Sequence, residues 1–440
     1  MGFGTRAAMV ALLGLAMAAG CGGDGDDGEE GPGTLAVQGL PATAPCGQAL
    51  ALAVLAADAE GRPRAGVEVQ ATVQRGGGTL PAVAATTGSD GIATFQWTVG
   101  AAPVLQRVAL SAGEATATAT LEGTLATPWQ PRPFGDVDGY LSSQGIDGST
   151  EDLAFAPGGT RLVMGVPGGL VEVDAQGQAS TRALSGDAMG WALGLACDAD
   201  GVLWAADANG KALRRVDAAG KVTSIAGGEG QVQLAYPNDL AVAPGGFVVL
   251  ADSCLGKVLV FRKDGTLVSE KAFDKATEGG ANGVAVDPSG NALWVTTENT
   301  SLLCGDGTDP LAANGGLYRF DLGADGALGA RTDVAPGMAH YADGATFDAE
   351  GNLYVMADVL DTENLSLAES TVWVRPAEGG DLRRFLTATE RVLANAAFGT
   401  GAFGANTMYL SLVAIPLVVD PSMRGVMAFD VGIAGLPLCE

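Results

Sequence analysis

The chain has 440 residues and carries 24 Lys and Arg against 50 Asp and Glu, a net charge of −26, so it repels phosphate backbones and nucleic-acid binding is excluded. Hydrophobic residues make up 47% of the chain, which rules out wholesale disorder, and the length suggests two or three domains. A single His removes His-rich zinc sites, while 67 Gly with only 6% aromatics and short apolar runs predict an all-β chain rich in turns.

The amino terminus reads as a targeting signal over residues 1–20. Arg6 is followed by an apolar stretch from Ala7 to Gly20, too short at ~21 Å of helix to span a ~30 Å hydrocarbon core. Its end, Ala18-Ala19-Gly20-Cys21, resembles a bacterial lipobox, which implies lipidation of Cys21 and a cell-envelope location. The Gly/acidic run after it, through residue 33, cannot pack and reads as a flexible tether. Gly22 stands where that family uses Asp for inner-membrane retention, so the resemblance implies the outer membrane. Contact with a membrane is expected only through the lipid on Cys21. Export implies an oxidising compartment, and five further cysteines leave at least one thiol unpaired. Cys254 and Cys304 follow equivalent strands of successive repeats and are the expected disulfide.

Residues 34–126 alternate apolar and small polar residues in short segments, with strands expected at Leu50–Ala56, Val67–Val73, Ile92–Val99, Val104–Ala112 and Ala115–Leu121. About ninety residues with turns at this spacing suit a small β-sandwich. The order Gly66-Val67-Glu68-Val69, Gly76-Gly77-Gly78-Thr79-Leu80, Ser89-Asp90-Gly91-Ile92 and Trp97-Thr98-Val99-Gly100 resembles the bacterial Ig-like repeats of invasin and intimin type. That resemblance implies a spacer, or an adhesive module with a surface partner. Residues 127–147 read as a linker that can supply a closing strand to the C-terminal domain.

From residue 148 a phrase recurs: two residues, an apolar strand, a turn, then a second apolar strand. It appears at Glu151-Asp152-Leu153-Ala154-Phe155, Leu193-Gly194-Leu195-Ala196-Cys197, Asn238-Asp239-Leu240-Ala241-Val242, Asn282-Gly283-Val284-Ala285-Val286 and Asp343-Gly344-Ala345-Thr346-Phe347. A sixth, more degenerate copy is read at Asn395-Ala396-Ala397-Phe398-Gly399. The first positions are 42, 45, 44, 61 and 52 residues apart, the period of a β-propeller blade. The expected architecture is therefore all-β: a six-bladed β-propeller over residues 148–440 preceded by the small sandwich. The longest spacing holds an insertion, Ser301 to Gly315, which would emerge at a rim.

Each phrase begins just before the innermost strand of its blade, so its first residue would face the central axis. Glu151, Asn238, Asn282 and Asp343 would then converge as oxygen donors without His or Cys, a set suited to calcium or another hard divalent cation. Without a cation, Glu151 and Asp343 would repel each other and one would protonate. Taken singly, Asn-Asp, Asn-Gly and Asp-Gly are also common turn dipeptides.

These residues, with Asp287-Pro288-Ser289-Gly290 and Asp348-Ala349-Glu350-Gly351-Asn352-Leu353, resemble the senescence-marker-protein (regucalcin)/gluconolactonase family of six-bladed, metal-dependent lactone hydrolases. The segments around Asn238 and Asn282 are similar to its paraoxonase/arylesterase branch. The resemblance implies Glu151, Asn282 and Asp343 as metal ligands and Asp343 as general base. It places Asn238 at the metal or on a small lactone or ester substrate. Sugar-lactone hydrolases of this family carry Arg where this chain has Tyr236, so a less polar substrate is expected. His340, three residues before Asp343, can line the pocket or serve its loop. The readings left open are a lipid-anchored, calcium-dependent lactonase or esterase, a non-catalytic surface propeller that binds a ligand or partner protein, and a structural spacer. A glycosidase built on the Glu151 and Asp343 pair is a further alternative.

Overall fold

A computed structural model describes residues 32–363, 366–388, 390–413 and 424–436; the signal segment, Cys21 and the tether up to residue 31 lie outside them. The chain is built almost wholly of β-strands. In the N-terminal unit one sheet holds Thr34–Gln38, Ala49–Ala57 and Ile92–Thr98. A second sheet holds Thr43–Pro45, Ala115–Thr124, Leu105–Ala112, Glu68–Arg75 and Ala84–Thr86. Strict alternation on Ile92–Thr98 turns Ala93, Phe95 and Trp97 inward, where they meet Leu52, Val54, Val69, Val108 and Leu110.

The remainder forms six blades, antiparallel but for the pair Ser185–Gly186 with Lys221–Ala226, in five sheets because Glu298↔Tyr341 joins blades 4 and 5 into one. The innermost strands are Leu153–Phe155, Ala192–Cys197, Pro237–Val242, Gly280–Val286, Tyr341–Phe347 and Val392–Phe398. Each innermost strand neighbours the next, and the first meets the sixth, so the ring is closed. Blade 6 takes its outermost strand from Arg132–Pro133, ahead of blade 1 in the chain, which pairs with Gly425–Asp430. That pairing joins the two ends of the ring through backbone hydrogen bonds.

The turn inside each phrase has a local cause. Asp287 Oδ1 accepts from the backbone N–H of Asn291 and Ala292 at 2.9 Å, and Asp348 Oδ1 accepts from Glu350 and Asn352 at 3.0 and 2.9 Å. The glycines at the end of these turns, Gly290 and Gly351, adopt φ of +72° and +85°, a region costly for any residue with a Cβ.

The second residue of each phrase links blades. Asp152 accepts from the N–H of Leu153 and, across the blade boundary, from that of Leu195, both at 2.6 Å. Asp239 repeats this with Leu240 at 2.7 Å and Val284 at 2.8 Å. Where the second residue is Gly the neighbour comes too close for a side chain: a Cβ on Gly194 would stand 2.5 Å from Asp239 Cα.

The two units are packed together. Ala102 and Val104 of the first join the apolar cluster of blades 5 and 6 around Tyr354, Phe385 and Phe398. Both Glu350 carboxylate oxygens accept from the Gly76 N–H, at 2.9 and 3.0 Å, and Arg383 Nη1 donates to Pro103 O and Glu122 at 2.7 and 2.9 Å.

Candidate metal centre and active site

A β-bulge lies at the start of every innermost strand from blade 2 to blade 6. Pairing passes from Pro237↔Asp252 to Leu240↔Leu250, so Asn238 and Asp239 together oppose one residue. The same holds for Asn282 and Gly283, for Asp343 and Gly344, and for Ala394 and Asn395. A bulge leaves its extra residue unpaired and re-aims it. In blades 2 to 6 the first residue of the phrase is thereby freed from the ladder. Hydroxyls opposite the bulge satisfy the displaced backbone: Gly283 N–H donates to Thr296 Oγ1 at 2.7 Å and Asn395 N–H to Ser411 Oγ at 3.0 Å.

The bulge register corrects one alignment. Asn395 occupies the second position of its phrase, with Asp152 and Asp239, and Ala394 occupies the first. Asn395 Oδ1 accordingly accepts from the next residue's N–H, Ala396 at 2.8 Å, as Asp152 and Asp239 do. The first positions in blades 2 and 6 are thus the apolar Leu193 and Ala394, and the polar ones are Glu151, Asn238, Asn282 and Asp343. The degenerate sixth phrase lacks the Pro/Asp turn that fixes the count elsewhere.

Glu151 and Asp343 share an electrostatic neighbourhood with Glu298, to which Asn238 is hydrogen-bonded. Burial raises the carboxyl of Asp343 well above its usual range, and Glu151, Glu298, Asp358 and Asp239 raise it further by charge. Glu151, whose residue is partly exposed, is likewise raised by burial first, then by Glu298 and Asp239. Asn282 is 1% exposed, and neither Oδ1 nor Nδ2 has a hydrogen-bond partner. A fully buried amide with both ends idle costs a few kcal/mol unless something not made of protein completes it.

Glu298 was not legible as a site residue, yet it organises the centre. Asn238 Nδ2 donates to Glu298 Oε1 at 3.0 Å and to Ser253 Oγ at 3.0 Å, and Ser253 Oγ donates to the same Oε1 at 2.8 Å. Both amide protons of Asn238 are thereby used, which turns its Oδ1 away from Glu298 and Ser253. Burial pushes Glu298 up to about 7, against the lowering effect of Ser253 and Asn238. Asp358 is fully buried and neither oxygen has a hydrogen bond of good geometry. Burial pushes its carboxyl up to about 8, against the lowering effect of Ser370.

Ser253, Glu298 and Asp358 hold equivalent places, each paired with the residue two before the first position of its phrase. The apolar runs legible as second strands, Val248–Ala251, Leu293–Thr296 and Leu353–Ala357, stop one or two residues short of them. The repeat itself was the signal that could have found them. One residue earlier in blades 2 and 3, Asp207 and Asp252 point the other way and accept from the backbone of the loops carrying Trp191 and Tyr236.

Tyr236 is partly exposed beside Glu151 and Glu298; burial and then those two charges raise its phenol. His340 is buried and accepts from the Leu360 N–H through Nδ1 at 3.2 Å, which fixes the neutral Nε2–H form. Its carbonyl accepts from the Asn299 N–H at 2.8 Å, so it also anchors the root of the insertion. Cys254 and Cys304 form a disulfide with Cα atoms 5.4 Å apart, tying the blade 3 rim to the insertion helix Ser301–Cys304. Cys197 is also disulfide-bonded, and Cys46 is the free thiol among the described residues, buried and pushed up to about 11.

Among the described residues no three His, Cys, Asp or Glu side chains cluster tightly enough to hold a metal by themselves. The two carboxylates Glu151 and Asp343 therefore need the amides Asn238 and Asn282. The donor set fits a hard cation. An idle buried Asn282, and carboxylates raised by burial and then by neighbouring negative charge, Glu298 acting on both Glu151 and Asp343, favour a positive charge beside them.

Comparisons with known proteins agree on the fold. Neither known protein families nor curated proteins return a match to the sequence. Among solved structures, a structural-genomics target given as a candidate gluconolactonase is 22% identical, with a TM-score of 0.50 over 70% of this chain and 94% of that one. Regucalcin from Agrobacterium tumefaciens, a calcium-binding protein, is 17% identical, with a TM-score of 0.51 over 72% of this chain and all of that one, 100%. The class defined by the fold is a β-propeller with an additional N-terminal β-sheet unit. More particularly, the propeller shares its architecture with the gluconolactonase and regucalcin structures.

Proposed function

We propose that this protein is a calcium-dependent hydrolase of lactones or related esters. The observation that carries the reading is the buried Asn282 amide, unpartnered at both ends and in phase along the repeat with Glu151, Asn238 and Asp343, together with the negative charge that Glu151 and Glu298 impose on Asp343. Glu151, Asn282 and Asp343 would hold the cation, and Asn238 would face it through Oδ1. When bound, a divalent cation supplies a Lewis acid for the ester carbonyl and the oxyanion that develops from it.

The protein's own groups divide the remaining work. Asp343 takes the proton of the attacking water as general base. Tyr236 and Asn238 position the substrate, with the aromatic ring at the place of the usual Arg favouring a substrate less polar than a sugar lactone. His340, neutral and held by Leu360, lines the pocket wall without contributing charge. Export through the signal segment and lipidation of Cys21 would set the enzyme on the cell envelope, at the outer membrane, with the N-terminal unit as an Ig-like spacer.

The test is hydrolysis of a panel of lactones and aryl esters with calcium and with chelator. The expected result is turnover that needs the metal and is lost in Asp343→Asn. Calcium binding without turnover on any member of the panel would favour the second reading, a propeller that binds a ligand or a surface partner. That reading draws on the same residues and on Tyr236 in place of the Arg.

A further inference from the structure

On the opposite face of the propeller, between blades 4 and 5, two guanidinium groups share a cavity of about 300 Å³. This volume is at the lower end of the ~300–1,000 Å³ found for small-molecule sites. Its wall is formed by Arg319 and Trp294 of blade 4 and by Phe347, Leu353 and Arg375 of blade 5, with Asp287 at its edge. Asp287 ends the phrase that begins at Asn282, so the cavity is separated from the candidate metal centre by the length of an innermost strand.

The charges in this cavity are not balanced. Arg375 is partly buried, its Nε has no hydrogen-bond partner, and no carboxylate among the described residues reaches its guanidinium. Arg319 has a partner in Asp321, with Nη1 2.8 Å from Oδ1. Asp287 is committed to its own turn, accepting from Asn291, Ala292 and Ser289 Oγ. Burial, and then the positive charge of Arg319, lower the pKa of Arg375. Support for the stranded cation comes from Trp294, over whose ring its Cζ lies at 5.0 Å. In a chain of net charge −26, an arginine left unpaired beside a second arginine has no shortage of acidic residues to draw on. Nothing else in the cavity supplies the missing anion.

We propose that this cavity is a binding site for a small carboxylate with a flat apolar body. Arg375 takes the carboxylate through its guanidinium fork, Arg319 adds charge from the side, and Phe347 and Leu353 receive the body. The planar fork matches a carboxylate in two parallel hydrogen bonds, and the apolar walls disfavour a bare, strongly hydrated phosphate. The site is independent of the proposed hydrolase chemistry, because no residue is shared between them.

The experiment is calorimetric titration of the full chain at low salt with benzoate, with benzyl alcohol and inorganic phosphate in parallel. Benzoate should bind one to one, and benzyl alcohol and phosphate more weakly. Arg375→Gln should weaken benzoate by about tenfold or more, the loss expected when a charge-assisted pair is removed. Arg375→Lys should fall between the two, since the charge remains and the fork is lost. Arg319→Gln, at a more exposed side chain that leaves the fold intact, should weaken benzoate several-fold and keeps the test valid if Arg375→Gln misfolds. No benzoate binding to the native chain, equal binding in both glutamine variants, or tighter binding of phosphate than benzoate would each overturn the proposal.

Discussion

Asn238 and Glu298, on neighbouring blades and sixty residues apart in the chain, are joined by a hydrogen bond of 3.0 Å from Nδ2 to Oε1. An amide has one donor end and one acceptor end, so whatever holds the donor decides where the acceptor points. Glu298 and Ser253 hold the donor end, which fixes the oxygen on the opposite side of the amide. Glu298→Gln keeps the shape but can present its own N–H₂ to Asn238, removing the reason for that orientation. Calcium affinity should fall by about tenfold, within the range seen when supporting groups around a metal are changed. Calorimetry with calcium reads this directly, and affinity unchanged within twofold would count against the arrangement.

Asp343→Asn should separate stability from function. In the metal-free protein it removes one member of a crowded set of buried carboxylates, Glu151, Glu298, Asp358 and Asp239 among them. The melting temperature of the chelated protein should rise by about 2 °C, a relief on the order of 1 kcal/mol. The increase in melting temperature that calcium gives the native protein should shrink, because a ligand of the folded state has been lost. A variant that melts lower in chelator and still gains fully from calcium would contradict both parts.

The same carboxylates predict an unusual pH dependence. Glu298 and Asp358 rise to about 7 and about 8 in the fold, from unfolded values near 4.5 and 3.8, and Glu151 and Asp343 are also raised. Between these limits the folded state binds more protons than the unfolded state, so stability is present below about pH 4 and lost as pH rises towards 8. Asp306 acts the other way. Its partial burial opposes ionisation, but Lys275, Thr308 and Thr300 outweigh it and hold the carboxyl well below the usual range, so its contribution is lost only in strong acid. Denaturation midpoints of the chelated protein should therefore fall from pH 5 to pH 8, and calcium should flatten the fall. A midpoint that rises over this range in chelator would refute the assignment.

The Cys254–Cys304 bridge closes a loop with a sequence separation of 50. Loop-closure entropy for that length amounts to about 4 kcal/mol, of which natural bridges commonly deliver about 2–4. Replacing both residues with Ser should lower the melting temperature by several degrees. It should also free the insertion that carries the exposed Leu302, Leu303 and Leu311. Thermal melts and protease cleavage within residues 301–315 measure the two effects. Equal melting and equal cleavage would show that the hydrogen bonds of Asn299 and Asn314 suffice to hold the loop.

The sequence by itself determined the period, the strand pairs and the turns, because each depends on neighbours within a few residues. Asp287 and Gly290 make their turn whatever surrounds them, and apolar alternation on Ile92–Thr98 defines its own buried face. It also put Glu151, Asn238, Asn282 and Asp343 forward as equivalent positions of successive repeats, and the bulge register gives the last three the same place in their blades. Tertiary structure alone decided the rest. The pairing register showed that Asn395 belongs one position deeper than its neighbours in the alignment. Contacts between blades brought Glu298 to Asn238 and left Arg375 beside Arg319 without a counter-ion among the described residues. Such relationships depend on distances closed only when the ring closes, and no local pattern in the chain carries them.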